Sequence, residues 1–87
     1  MGTWELKYSD AALKDLDNID RSVRRHIIDR LEWCAEHFDD IIPSPLHAEW
    51  KGFFKFRASG WRIVYDFDSS HCLIKVHQID RRDRVYK

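Results

Sequence analysis

Residues 50–65 read WKGFFKFRASGWRIVY. Two alternating runs flank Ser59-Gly60, a tight-turn signal, so the stretch predicts a β-hairpin. Side chains alternate across a strand. One face of the hairpin therefore carries Lys55, Arg57 and Arg62, and the other carries bulky apolar residues. A half-buried sheet usually mixes both signs of charge on its wet side. Here the three charged residues of the two runs are all cations, which points to a wet face that holds an anion. The formal net charge of zero conceals this. Residues 1–49 carry six Lys/Arg against eleven Asp/Glu, whereas residues 50–87 carry nine against four. Such asymmetry is a compositional sign of nucleic acid or another polyanion as partner.

Upstream of the hairpin, Asp39–Glu49 (DDIIPSPLHAE) predicts a loop, because Pro43 and Pro45 cannot continue a helix. Before it, Val23, Ile27, Leu31, Cys34 and Phe38 step by four, four, three and four, with Ile28 and Ala35 widening the stripe. That spacing predicts an amphipathic helix. Ala12, Leu13, Leu16 and Ile19 predict a shorter one, with Ser9 as its N-cap and Asp10 complementing the dipole in its first turn. Asn18-Ile19-Asp20 breaks the two, and Asp20 or Ser22 caps the second. Trp4–Tyr8 (WELKY) alternates like a strand.

Downstream, Asp68-Ser69-Ser70 marks a turn and Cys72–Ile79 a further strand, followed by a basic tail, Asp80–Lys87. The order is β-α-α-β-β-β, an α+β fold with a helix hairpin on one face of a mainly antiparallel sheet. Sorted by parity, Phe54, Phe56, Trp61, Ile63, Tyr65, Phe67, Cys72, Ile74 and Val76 form the apolar set. Phe53, Lys55, Arg57, Arg62, Val64, Asp66, Leu73, Lys75 and His77 form the other. Three strands thus each place cations on the face away from the helices.

With 87 residues, the chain has room for one small core, and a single domain over 1–87 is expected. Trp4, Trp33, Trp50 and Trp61 are expected to help fill it. No apolar run approaches the roughly 18 residues of a membrane helix, and no signal-peptide h-region leads the chain, so a cytoplasmic protein is expected. Cys34 and Cys72 are too few for a disulfide framework and read as small buried hydrophobes. The five histidines show no finger-like pairing with cysteine, so no metal or other cofactor is expected.

At these residues the chain resembles the RelE/ParE superfamily of bacterial toxin–antitoxin modules. The matching pieces are the Lys51-Gly52 step, Lys55-Phe56-Arg57, Gly60-Trp61-Arg62-Ile63-Val64-Tyr65, and the closing Arg81-Arg82-Asp83-Arg84-Val85-Tyr86. The resemblance implies a small α+β toxin domain with a cognate antitoxin as partner. On the RelE-like branch it implies an endoribonuclease that cuts mRNA in the decoding region of the ribosome, formed by 16S rRNA. ParE-like members share the fold and inhibit DNA gyrase, generally without the full basic and tyrosine set.

Metal-independent RNA cleavage uses the 2′-hydroxyl as nucleophile. It requires a base for that hydroxyl, positive charge for the crowded phosphorus, and an acid for the leaving 5′-oxygen. The chain offers clustered cations rather than paired histidines. Neighbouring cations favour the neutral form of a lysine, which points to Lys55 as the base. Arg57 and Arg62 present planar forks suited to phosphate. The resemblance adds Arg82 near the leaving group and Tyr86 stacking on or orienting the substrate base. Lys55, Arg62, Arg82 and Tyr86 are thus the expected catalytic set, with Lys51, Arg57, Lys75, His77 and Arg81 binding RNA phosphates. Where some RelE-like proteins carry a second lysine, this chain has Phe53. Substitution by Lys51 and stacking of Phe53 on a base are both open, as is the tail register among Arg81, Arg82 and Arg84. His77 is either an alternative acid or base or a structural histidine. Outside RNA cleavage, the alternatives are a gyrase inhibitor and a non-catalytic, antitoxin-binding member.

Overall fold

Capping residues start both helices where the sequence puts them. A computed structural model describes residues 3–81, with strand β1 at Glu5–Tyr8, helix α1 at Asp10–Asp17 and helix α2 at Arg21–Glu36. Ser9 has extended backbone, and its Oγ accepts from the Ala12 N–H at 3.0 Å. Asp20 caps α2 by accepting from the Ser22 N–H at 3.3 Å. Each bond satisfies one of the amide donors that a helix start leaves without an internal partner.

Residues 39–49 are not wholly irregular, contrary to expectation. They hold strand β2 (Ser44–Pro45), and single-turn 3₁₀ helices run Phe38–Asp40 and Ala48–Trp50. Pro45 is tolerated because β2 forms one edge of the sheet, where no ladder needs its missing N–H. Strand β3 (Phe54–Ala58) and strand β4 (Trp61–Asp68) form the predicted hairpin. Ser59 and Gly60 both have positive φ, 52° and 81°, as a two-residue turn matching the strand twist requires. Strand β5 (Leu73–Arg81) closes the sheet, in the order β1-β5-β4-β3-β2. Among the described residues, only the β1–β5 pairing is parallel.

The predicted helical stripe and the apolar strand set meet in one core. Ala12, Leu16 and Ile19 join Ile27, Leu31, Cys34, Ala35 and Phe38 against Phe56, Ile63, Tyr65, Ile74, Val76 and Ile79. Phe38 lies 4.6 Å from the Trp4 ring and 5.2 Å from Phe67, and Phe56 stacks on Tyr65 at 4.1 Å. Expectations about Trp33, Trp50 and Cys72 fail. Trp33 is 45% exposed, stacked on His37 and overlain by Arg30, because it sits off the α2 stripe. Trp50 is half-buried outside the core, whereas Trp61, also half-buried, packs against it as expected. Cys72 is exposed, because it belongs to the turn before β5 with φ of 49°.

One irregularity organises the centre of the sheet. Val64 is opposite Gln78, yet the next residue, Tyr65, is opposite Val76, so His77 is an extra residue in β5. This β-bulge returns Ile79 to the core and turns Asp80 outward to face Arg62. Strand β1 ends at Tyr8, beside Val76, and α1 takes over the β5 edge from there. The Ser9 N–H donates to the Val76 carbonyl, the Ser9 hydroxyl donates to the His77 carbonyl, and the Ile79 N–H donates to Asp15 Oδ2, each at 2.9 Å.

Two outcomes test this packing in urea denaturation. Asp15→Ala strands the Ile79 amide and should cost about 1–3 kcal/mol, while Asp15→Asn, which keeps an acceptor, should cost less. The Tyr65 hydroxyl is buried with no hydrogen-bond partner among the described residues. Tyr65→Phe should therefore be neutral or stabilising, by up to about 1 kcal/mol.

Candidate phosphate-binding face

Opposite the helices, cross-strand register arranges the outer residues in rows. Arg57, Arg62 and Asp80 form one row; Lys55, Val64 and Gln78 form the next; Asp66, Lys75 and Lys7 form the third. Rows are two residues apart along a strand, about 7 Å. Lys55 and Arg62 are therefore diagonal neighbours, with Cβ atoms about 7–8 Å apart. Lys51 is exposed in the turn leading into β3, and Arg57 is exposed on β3 itself.

Arg62 is the surprise of the first row. It is only 8% exposed, and Asp80 grips it in a two-point fork: Arg62 Nε donates to Oδ1 at 3.1 Å and an Nη donates to Oδ2 at 2.9 Å. Gln78 donates to the same Oδ2 at 3.3 Å. Such a fork fixes the orientation of the guanidinium and offsets its charge. It also relieves the like-charge contact with Arg57, the register partner of Arg62. Sequence parity continued from Val76 would have placed position 80 inward. The signal that could have exposed Asp80 is the break in period from Ile74 and Val76 to Ile79.

His77 occupies the bulge and faces the same side. Its Nε2 lies 2.8 Å from Asp66 Oδ1, and Phe53 packs edge-on against its ring at 4.9 Å, with Trp50 beyond at 5.3 Å from Phe53. Phe53 therefore supports the wall of the site through an aromatic row. Lys55 and Lys75 are partly exposed, and neither forms an ion pair among the described residues.

Not every expected residue joins this group. Arg81 is in register with Trp61, on the helix side of the sheet, and its guanidinium lies 5.3 Å over that ring. Alternation from Asp80 carries it away from Lys55 and Arg62. Arg82 and Tyr86 lie outside the described residues. Lys7, by contrast, was missed: the alternation of WELKY pairs it with Glu5, but only the parallel register with β5 reveals which face they share. Beyond Lys75 the face turns acidic, with Glu5 and Asp68 both partners of Leu73. Asp68 is fully engaged by its own turn, accepting from the Ser70 amide and hydroxyl and lying 2.8 Å from His71 Nδ1. Those bonds, the Ser70 hydroxyl foremost, lower its pKa from 3.8 to about 2. Among the described residues no three His, Cys, Asp or Glu side chains cluster to hold a metal ion, and no helix is long and apolar enough to cross a membrane.

Comparison with known proteins places this geometry in a family context. The family model described as "ParE toxin of type II toxin-antitoxin system, parDE" matches residues 6–86. A RelE-like toxin protein of Escherichia coli is 28% identical over 86 residues, covering 93% of this chain and 85% of its own length. Among solved structures, the toxin–antitoxin complex RelBE2 of Mycobacterium tuberculosis superposes with a TM-score of 0.79 at 18% identity, covering 92% of this chain and 99% of the other. The isolated RelE toxin of Escherichia coli gives 0.70 at 20% identity, covering 95% and 90%.

Two measurements check the face. Asp80→Ala leaves the largely buried Arg62 without its fork and should cost about 3 kcal/mol in urea denaturation. In an NMR titration the Asp68 carboxyl should change state near pH 2, and Ser70→Ala should move it toward 3.8. Because the folded value is the lower one, the turn contributes fully above the unfolded value and loses that contribution as pH falls through about 2.

Proposed function

The chain belongs to the ParE toxin family of type II toxin–antitoxin systems, within the RelE/ParE superfamily, and on that premise we propose that it is a RelE-like mRNA interferase. In this reading it cleaves mRNA on the ribosome without a metal, at a phosphate held on the outer face of the sheet. The observation that carries the reading is Lys55, which sits between a row led by Arg57 and Arg62 and a row holding Lys75 and Lys7, and forms no ion pair among the described residues.

Each group has a task. The Lys55 amine takes the proton of the 2′-hydroxyl as its oxygen attacks the adjacent phosphorus. The new 2′-O–P bond forms as the P–O5′ bond breaks, giving a 2′,3′-cyclic phosphate and a 5′-hydroxyl. Arg57 and Arg62 hold the charge that builds on the non-bridging oxygens. Asp80 acts on Arg62 by fixing the plane of its fork. Arg82 holds the charge that develops on the leaving 5′-oxygen, which takes its proton from water, and Tyr86 orients the base. Lys51, Lys75 and His77 hold flanking phosphates, and Phe53 braces His77 rather than replacing a lysine.

The partner that silences the toxin is a cognate antitoxin. RelE relatives are known in complex with RelB partners, and this sheet offers a basic face that acidic side chains would cover. A second reading, gyrase inhibition as a ParE-like binding protein, is favoured by one feature: Asp80 already occupies the Arg62 fork that phosphate would need.

Primer extension on a translated reporter separates the two. RNA cleavage should give cuts in frame with codons, whereas gyrase inhibition should give accumulating DNA breaks and intact transcripts. Lys55→Met should abolish cleavage while antitoxin binding survives, and Arg62→Ala and Tyr86→Phe should each reduce it by at least tenfold. Unchanged cleavage in Arg62→Ala or Tyr86→Phe rules out the catalytic assignment.

A further inference from the structure

Where β1 ends against β5, a cavity of about 180 Å³ is lined by Lys7, Tyr8, Ser9, Lys75, Val76 and His77. Lys7 and Lys75 are direct register partners of the parallel ladder, so both ammonium groups rise from the same row. Like charges placed opposite each other on one face of a sheet destabilise it. Elsewhere on the face, the protein relieves such contacts with an acid: Asp80 serves Arg62 beside Arg57. Here it does not. Neither lysine forms an ion pair among the described residues. Asp66, the register partner of Lys75 on β4, gives its Oδ1 to His77. Asp68 is tied up by Ser70 and His71.

We propose that Lys7 and Lys75 together form a second phosphate subsite, which holds a backbone phosphodiester of single-stranded RNA flanking the one at Lys55. The inference rests on the RNA-cleavage reading for the identity of its ligand. Two compact ammonium groups, each with three donors, suit the non-bridging oxygens of a phosphodiester. The cavity lies on the same face as Lys55, one row further along and two strands across, so that Lys75 stands about 12 Å from Lys55. A strand crossing the sheet from Arg57 past Lys55 thus meets Lys75 and then Lys7 before the face turns acidic at Glu5. That acidic end sets the limit of the track.

The test is a salt titration of the full chain with a fluorescent single-stranded 2′-O-methyl oligonucleotide, which cannot be cleaved. The slope of log affinity against log salt should fall by about 0.7 in Lys7→Gln/Lys75→Gln, the loss of one single-strand phosphate contact. Lys7→Arg/Lys75→Arg should retain the wild-type slope. Without ligand at low salt, the Gln pair should melt at or above the wild-type temperature, because a repulsion is removed. Inorganic phosphate should raise the melting temperature of wild type more than that of the Gln pair. An unchanged slope in the Gln pair overturns the subsite. So does a loss seen equally with a poly-glutamate peptide, which would assign the lysines to an acidic protein segment. If wild type leaves transcripts intact yet the oligonucleotide slope drops, the cleavage reading fails and the subsite stands. If transcripts are cut and the slope is unchanged, the subsite alone fails.

Discussion

The extra residue in β5 governs both sides of the sheet. A β-bulge sets two residues of one strand against one of its neighbour and changes the parity of everything beyond it. In this chain the shift falls between Val76 and Gln78. Inside, it puts Ile79 back among Ile63 and the helix residues; outside, it brings Asp80 to Arg62. Without it, both residues would face the wrong medium, Ile79 outward and Asp80 inward. Because β1 ends at Tyr8, a stretch of β5 edge at and beyond the bulge is left open, and Ser9, the N-cap of the first helix, and Asp15 within it satisfy its carbonyl and amide. The docking of α1 and the pairing of Arg62 thus lie on the same short segment of β5.

The charge of the outer face is more finely divided than a count of cations implies. Arg62 is neutralised, His77 is held by Asp66, and Arg81 has moved to the far side over Trp61. Among the described residues, what is left is Lys55, the Lys75–Lys7 pair one row further along, and the exposed Arg57 and Lys51. Arg62 is a rigid, pre-oriented fork rather than a mobile charge. Its stability contribution depends on Asp80, because a buried guanidinium stripped of its carboxylate keeps its desolvation cost and loses its compensation. A binding face built this way separates groups that are fixed in place from groups that can follow a flexible substrate.

Most of the architecture was legible in the chain. Ser9 and Asp20 mark helix starts because their side chains can take an amide proton; Val23 to Phe38 mark a helix because one stripe must be buried. Ser59-Gly60 marks a hairpin because both residues accept positive φ. Lys55, Arg57, Arg62, Lys75 and His77 were placed on one face by parity alone, and they share it. Cys72 and Trp33 were misread for a common reason. Composition says that such residues prefer the interior, but a turn and an off-stripe helix position put them outside.

The sequence by itself determined the elements, the buried stripe and the existence of a cationic face, since those follow from local periodicity and from the two-sided geometry of a strand. Only the tertiary structure decided which cations stay available. That outcome depends on a register shift in β5 and on a parallel pairing between strands about 70 residues apart. Pairing partners are set by the packing of the whole core. No window of sequence around Arg62 contains Asp80, and none around Lys75 contains Lys7.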